Sequence, residues 1–107
     1  MLFSKFTGTV TTSSGTASFT LNDTKFSMGY LRQIILNPTT QTNIYDLTIT
    51  DNYGFVVLPT EDINTIAIEG DLNIHKVDIP LVGNYTFKIL NATIDEAIKY
   101  EVIVQED

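Results

Sequence analysis

A chain of 107 residues holds one hydrophobic core and is too short for two independent ones, so residues 1–107 are predicted to form a single domain. The absence of cysteine excludes disulfide frameworks, thiol nucleophiles and Cys-ligated zinc or iron–sulfur centres. Thirteen acidic against six basic side chains give a formal charge of −7, which repels phosphate backbones and anionic lipids. Nucleic acid and membranes are therefore not predicted partners.

The rest of the composition is typical of β-strands. Hydrophobic residues make up 43% of the chain, and Ile, Val, Tyr, Phe and Thr, which favour strands, are prominent. Gly, Pro, Asn and Asp recur at short intervals, which leaves room for strands but hardly for helices. The sequence therefore predicts an all-β fold, an antiparallel β-sandwich of jelly-roll or immunoglobulin-like type with about eight short strands.

The strands are predicted from the alternation of apolar and polar residues between these turn signals. In chain order they cover residues 3–11, 16–21, 30–37, 43–50, 55–58, 65–69, 73–78, 84–90 and 97–105. The alternation is regular at Tyr45, Leu47 and Ile49, which indicates one buried and one solvated face. In the last strand Ile103 falls on the polar side, and we predict that it belongs to a contact surface.

The first strand is apolar only in patches, at Phe3, Phe6 and Val10, and Thr, Ser and Gly are frequent after residue 6. We therefore interpret residues 1–12 as an assembly arm that pairs with a neighbouring molecule, and these three residues as contact residues. A chain that lacks residues 1–12 is then expected to fold but to assemble poorly.

Two short segments are predicted to form turns. Residues 51–54 read Asp-Asn-Tyr-Gly, and the final Gly supplies the positive φ that three- and four-residue hairpin loops require. Tyr53 lies at the tip of this hairpin and is the one aromatic side chain expected to be exposed. Residues 93–98 imitate a capped helix through Thr93 and Glu96, but six residues are too few for an independent helix, so a turn is predicted.

The sequence offers no catalytic apparatus. His75 is the only histidine, and it falls on the polar face of its strand, so we interpret it as a surface residue. The acidic pairs Glu61-Asp62 and Asp95-Glu96 consist of adjacent residues, which point to different sides of a strand or turn and are interpreted as solvated loops. No catalytic residue is predicted, and the protein is expected to be non-enzymatic.

No metal or cofactor site is predicted either. Asp46, Asp51 and Asn52 could supply oxygen ligands to calcium, but the EF-hand spacing with its closing Glu is absent and Asp51 already belongs to a predicted turn. The sequence has no glycine-rich phosphate loop. An open alternative is a carbohydrate-binding module, in which Tyr53 would stack on a sugar or cell-surface glycan.

Two blocks of the chain resemble small structural proteins of tailed bacteriophages. The first comprises Leu31 to Pro38 (LRQIILNP), the Thr-rich residues 39–42 and residues 45–54 (YDLTITDNYG). The second comprises residues 79–89 (IPLVGNYTFKI), the turn at 91–97 and the closing strand. Together they cover about the last three quarters of the chain, as a pattern of strands and turns.

The resemblance implies a virion component, most simply a capsid decoration or cement protein that docks on the coat lattice. Its expected partners are the major capsid protein or other virion proteins, and sister copies in a symmetric homo-oligomer. A tail or connector protein is the alternative. The lack of cysteine suits assembly in a reducing bacterial cytoplasm before incorporation into the virion, and the N-terminus lacks the apolar segment expected for secretory export.

Overall fold

The computed structural model describes residues 2–21, 29–63, 73–81 and 83–106. These residues form eight strands, and the described part of the chain contains no helix long and apolar enough to cross a membrane. The strands are Leu2–Thr11 (β1), Ala17–Leu21 (β2), Gly29–Pro38 (β3), Tyr45–Asp51 (β4), Val56–Ile63 (β5), Asn73–Leu81 (β6), Tyr85–Leu90 (β7) and Ala97–Glu106 (β8).

The strands form two antiparallel sheets of four strands each. The first sheet has the order β1-β8-β3-β6 and the second the order β2-β7-β4-β5. The first strand pairs with the last, the second with the second to last, and so on inward to the β4–β5 hairpin. This nested pairing, rolled into two facing sheets, is the jelly roll. The predicted all-β sandwich is thus confirmed, and the strand order selects the jelly-roll over the immunoglobulin-like alternative.

The core lies between the inner faces of the two sheets. Period-two alternation sends every second side chain of each strand inward, and the central strands supply the most deeply buried residues. Tyr45, Leu47 and Ile49 of β4 are fully buried, as the alternation predicts. The other buried apolar residues are Leu21, Leu31, Ile34, Leu36, Leu81, Tyr85, Phe87, Ile89, Ile98, Val102 and Val104.

A β-bulge in β3 changes which of its side chains face the core. The pairing with β8 matches Leu31 with Val104 and Gln33 with Ile103, so Arg32 is the extra residue. A bulge shifts the alternation by one position, and as a result Leu31 and Ile34, three residues apart, both face the core.

Several strand boundaries differ from the predictions. β5 begins at Val56 and extends through Pro59 to Ile63, because it pairs along β4 as far as Tyr45. The predicted strand at 65–69 lies outside the described residues. Of the predicted turn at 93–98, residues 93–96 form an irregular segment, whereas Ala97 and Ile98 already belong to β8.

The N-terminal segment is an integral strand of the first sheet. β1 pairs with β8 without interruption from Leu2 to Thr11, and Phe6 and Val10 pack against the core. Removal of residues 1–12 would therefore uncover β8 and open the core. The expectation that such a shortened chain folds does not agree with this packing.

Candidate interaction surfaces

A buried polar network fixes the loops at one end of the sandwich. Asn43, which is fully buried, donates from Nδ2 to the carbonyl of Ile94 over 3.0 Å, and its Oδ1 accepts from the Ile94 amide and the Thr93 hydroxyl. Thr12 is also buried, and its hydroxyl accepts from the Glu96 amide over 2.9 Å. Because buried polar groups require partners, this network has a structural role.

The carboxylates whose side chains are described hold local structure. Each accepts a hydrogen bond or forms an ion pair within the chain. The donors are Asn91 for Asp46, the amides of Tyr53 and Phe55 for Asp51, Arg32 for Asp78, the amides of Ser14 and Gly15 for Asp95, the amide of Thr40 for Glu96, and Lys5 for Glu101.

The hydrogen-bond partners of these carboxylates show whether the acidic pair Asp95-Glu96, or Asp46 with Asp51, could form a common site. Asp95 and Glu96 bind amides of two different loops, so they do not converge on a common point. Asp46 and Asp51 lie at opposite ends of β4, about 17 Å apart along a strand of that length. Within the described residues no three His, Asp or Glu side chains meet in a metal-binding group. The side chains of His75 and of Glu61-Asp62 lie outside the described residues.

The outer face of the first sheet carries two of the predicted contact residues. On β1 and β8 the odd-numbered side chains point away from the core, because Ile98, Val102 and Val104 point into it. Phe3 is 61% exposed, and Ile103 is half-buried between Lys5 and Gln33 of the neighbouring strands. Phe6 and Val10 instead face the core, on the opposite side of β1.

A cluster of side chains around Arg32 lies on the same face. The Arg32 guanidinium carbon sits 4.9 Å from the centre of the Tyr30 ring, within the range of a cation–π contact. Its Nε donates to Gln105 over 2.8 Å and its Nη1 to Asp78 over 2.7 Å. The bulge in β3 thus places a basic side chain across three strands of the first sheet.

The β4–β5 tip, defined here as Tyr53, Phe55 and Val56, exposes apolar side chains. Their exposed fractions are 81%, 70% and 54%, respectively. The tip is a well-built turn, since the Gly54 amide donates to the Asp51 carbonyl over 3.1 Å and Gly54 has a φ of +87°. The hairpin predicted at 51–54 is confirmed.

Sequence reasoning named only part of this tip. The expectation that Tyr53 would be the one exposed aromatic residue is wrong, because Phe3 and Phe55 are exposed as well. A signal was present in the run Phe55-Val56-Val57-Leu58, which lacks alternation. Since successive side chains of a strand point to opposite faces, such a run cannot turn all its members toward one core.

Comparisons with known proteins bear on the fold. No protein-family model and no curated protein matches the chain. Among solved structures, the chain is similar to the Drosophila NLP core, with a TM-score of 0.60 and 17% identity over 99% of this chain and 98% of that one. The crystal structure of that core provides insight into its pentamer formation and histone binding. At this identity the likeness shows the fold alone.

Two other similarities are weaker. The VP2 subviral particle of infectious bursal disease virus matches with a TM-score of 0.45 and 11% identity, over 98% of this chain and 32% of that one. A family two carbohydrate esterase from Cellvibrio japonicus matches with a TM-score of 0.37 and 10% identity, over 98% of this chain and 34% of that one. Neither similarity supports a conclusion about this protein, and none of the three gives evidence for an origin in tailed phages.

Proposed function

We propose that this protein is a non-enzymatic structural subunit that works as a homo-oligomer and binds a larger assembly through the β4–β5 tip. More specifically, the protein would be a decoration protein that docks on the coat lattice of a tailed phage. It would be assembled in the bacterial cytoplasm and would remain in the virion.

The observation that carries this proposal is the exposure of three large apolar side chains within four residues of one loop. Tyr53, Phe55 and Val56 are each more than half exposed. Large apolar side chains that stay exposed at neighbouring positions of a domain surface are typical of contact sites. Burying one such side chain contributes about 1.5–3 kcal/mol to the free energy of binding, which gives a single copy only weak affinity. Several linked copies on a symmetric lattice would multiply the effect through effective concentration.

The homo-oligomer part has independent support from the fold. The Drosophila NLP core has the same fold over nearly its whole length, and pentamer formation is described for that core. A domain of this fold is thus compatible with a symmetric homo-oligomer. The phage part rests on the resemblance of residues 31–54 and 79–105, and a tail or connector location remains the alternative within that resemblance.

The first test is size-exclusion chromatography with light scattering on the purified protein, alone and with purified phage capsids. We expect a mass that is a multiple of 11.9 kDa and saturable co-elution with capsids. A monomer that ignores capsids but binds purified tails would replace the decoration assignment by the tail alternative. A monomer that binds neither would refute the structural-subunit proposal.

The role of the tip is tested with Phe55→Ser, which removes an exposed ring without disturbing the core. Capsid co-elution should fall at least about tenfold, corresponding to about 1.4 kcal/mol, while the oligomer mass should not change. Leu90→Ser is the matched control, because Leu90 is a partly exposed apolar residue at the end of β7, away from the tip. Equal losses for the two variants would show that the tip has no special role.

A second candidate function is carbohydrate binding, which the exposed rings of Tyr53 and Phe55 favour. Sugars stack on exposed aromatic faces, and these two rings flank Gly54 at the same hairpin. If this function is correct, Tyr53→Ala should abolish glycan-array binding and leave oligomers intact. An array that shows no binding by the unmodified protein would exclude the candidate.

A further inference from the structure

Four strands lie at the edges of the two sheets, and three of them have features that prevent pairing with another chain. β2 is only five residues long. β5 contains a proline, Pro59, which has no N–H to donate, and its register with β4 shifts twice. β6 contains the exposed residues Asp78 and Pro80, and its register with β3 shifts once. Short length, proline, charge and bulges are the means by which natural proteins block edge-to-edge association.

Of these protective features, β1 has only a single charged side chain, Lys5, which is paired with Glu101 of β8. It is ten residues long, contains no proline and no acidic residue, and pairs with β8 in an unbroken register. It is the terminal strand of the first sheet, and no strand in the described part of the chain pairs with its other edge. Such an edge presents main-chain donors and acceptors that an added strand can satisfy.

The charge of the chain limits what can approach this edge. At −7, two copies repel each other over most of their surfaces. β1 carries Lys5 as its only charged side chain. Its exposed outward residues toward the C-terminal end are Thr7, Thr9 and Thr11. A second copy can therefore meet β1 without opposing carboxylates on the paired strands.

We infer that β1 is the surface through which two copies of this chain associate, as antiparallel strands related by a two-fold axis at Thr9. This register pairs Thr9 with Thr9 of the second copy and Thr7 with its Thr11, and cross-strand threonine pairs stabilise antiparallel sheets. It also keeps Lys5 away from the Lys5 of the second copy, an opposition that a register centred on Lys5 would create. The two first sheets would then form one continuous eight-stranded sheet.

This inference rests on the proposed homo-oligomer and identifies one of its contacts. The contact is isologous, so it joins copies in pairs whatever further contacts build the assembly. The β4–β5 tip belongs to a different part of the fold, at the β4–β5 end of the second sheet. Binding to a lattice and association between copies are therefore expected to respond to different substitutions.

The cysteine-free sequence makes cross-linking the direct test. Thr9→Cys introduces the only thiol of the chain on an exposed position of β1. Directly opposed residues in an antiparallel pair have Cα atoms about 4.5–5.5 Å apart, which suits a disulfide. Mild oxidation should convert most of Thr9→Cys to a covalent dimer. Ser18→Cys, an exposed position on edge strand β2, is the matched control and should remain monomeric on denaturing gels.

The register is tested by mixing Thr7→Cys with Thr11→Cys. The mixed disulfide dimer should exceed each homodimer by much more than the factor of two that random pairing gives, because the two-fold axis places these positions opposite each other. Thr9→Lys should place two like charges opposite each other and raise the dissociation constant at least about tenfold. Its thermal unfolding midpoint should equal that of the unmodified protein at a concentration where both are monomeric. Ser18→Lys should leave the dissociation constant unchanged.

The outcomes separate this inference from the proposed function. If the unmodified protein is an oligomer, but Thr9→Lys keeps its mass and Thr9→Cys cross-links no better than Ser18→Cys, the β1 contact is wrong and the oligomer stands. If the unmodified protein is a monomer at millimolar concentration, the inference and the homo-oligomer part both fail. Co-elution of Phe55→Ser with capsids then still tests whether the β4–β5 tip binds the coat lattice.

Discussion

The ring of Tyr100 lies directly across its cross-strand partner Gly8 and occupies the space that a side chain at position 8 would need. A Cβ atom built on Gly8 would lie 2.8 Å from Cε2 of Tyr100 and nearer still to the hydroxyl. The Tyr100 ring in turn stacks on Phe19 of the second sheet, with centroids 3.7 Å apart. The missing side chain at position 8 therefore allows an aromatic contact that joins the two sheets beside their β1 and β2 edges.

Gly8→Ala is expected to destabilise the fold. The added methyl group forces the Tyr100 ring off Phe19, and overpacking of this kind costs about 1–3 kcal/mol. The reduced freedom of the unfolded chain returns about 0.4–1 kcal/mol, which leaves a net loss. Urea unfolding measures the change, with Ser18→Ala as the control at an exposed strand position. In a Tyr100→Leu background Gly8→Ala should cost less, and an equal cost in both backgrounds would disprove the steric explanation.

Tyr45→Phe is expected to stabilise the protein by about 1 kcal/mol. Tyr45 is fully buried, and its hydroxyl has no hydrogen-bond partner among the described residues. A buried hydroxyl without a partner loses its hydration and gains nothing in return. Tyr85→Phe is the matched control, because the Tyr85 hydroxyl donates to the Pro80 carbonyl over 3.2 Å and its removal should cost stability. If Tyr45→Phe is the more damaging variant, the Tyr45 hydroxyl has a partner.

The same residue predicts how stability changes at alkaline pH. Burial raises the pKa of Tyr45 well above its ordinary value of 10.0. Above pH 10 the unfolded chain loses the Tyr45 proton while the folded protein keeps it, so stability falls by up to about 1.4 kcal/mol per pH unit. Tyr45→Phe removes this loss. The stability difference between Tyr45→Phe and the unmodified protein should widen from about pH 9.5 to about pH 11.5, and a constant difference would refute the assignment.

The sequence was sufficient for the features that depend on local pattern. Alternation in β4 and β7 identified the buried faces, because the side-chain period of a strand is the same wherever the strand lies in the sheet. The hairpin at 51–54 was equally predictable, since Gly54 satisfies a local backbone requirement. The terminal position of β8 did not hide its buried face either, because Ile98, Val102 and Val104 recur at even-numbered positions between Lys99, Glu101 and Gln105, with Ile103 as the exception.

Features that depend on distant residues could not be read from the sequence. The β3 bulge at Arg32 is one such feature: Arg32 and Gln33 interrupt the alternation between Leu31 and Ile34, but the sequence does not show that a bulge turns both apolar residues toward the core. The strand order was open for the same reason, because Greek-key and meander connections produce the same alternation. Within the candidate surfaces, alternation placed Ile103 on the outer face, but it did not reveal that Phe6 and Val10 complete the core.

The turn between β1 and β2 depends on such a distant contact and gives the last prediction. The Asp95 carboxylate accepts from the amides of Ser14 and Gly15, over 3.0 and 2.8 Å, from 80 residues away in the chain. Asp95→Ala should cost about 1–2 kcal/mol in urea unfolding, because both amides lose a charged acceptor. Asp95→Asn keeps one oxygen acceptor and should cost less. If the two variants are equally unstable, the charge of Asp95, rather than its hydrogen bonds to the turn, determines its contribution.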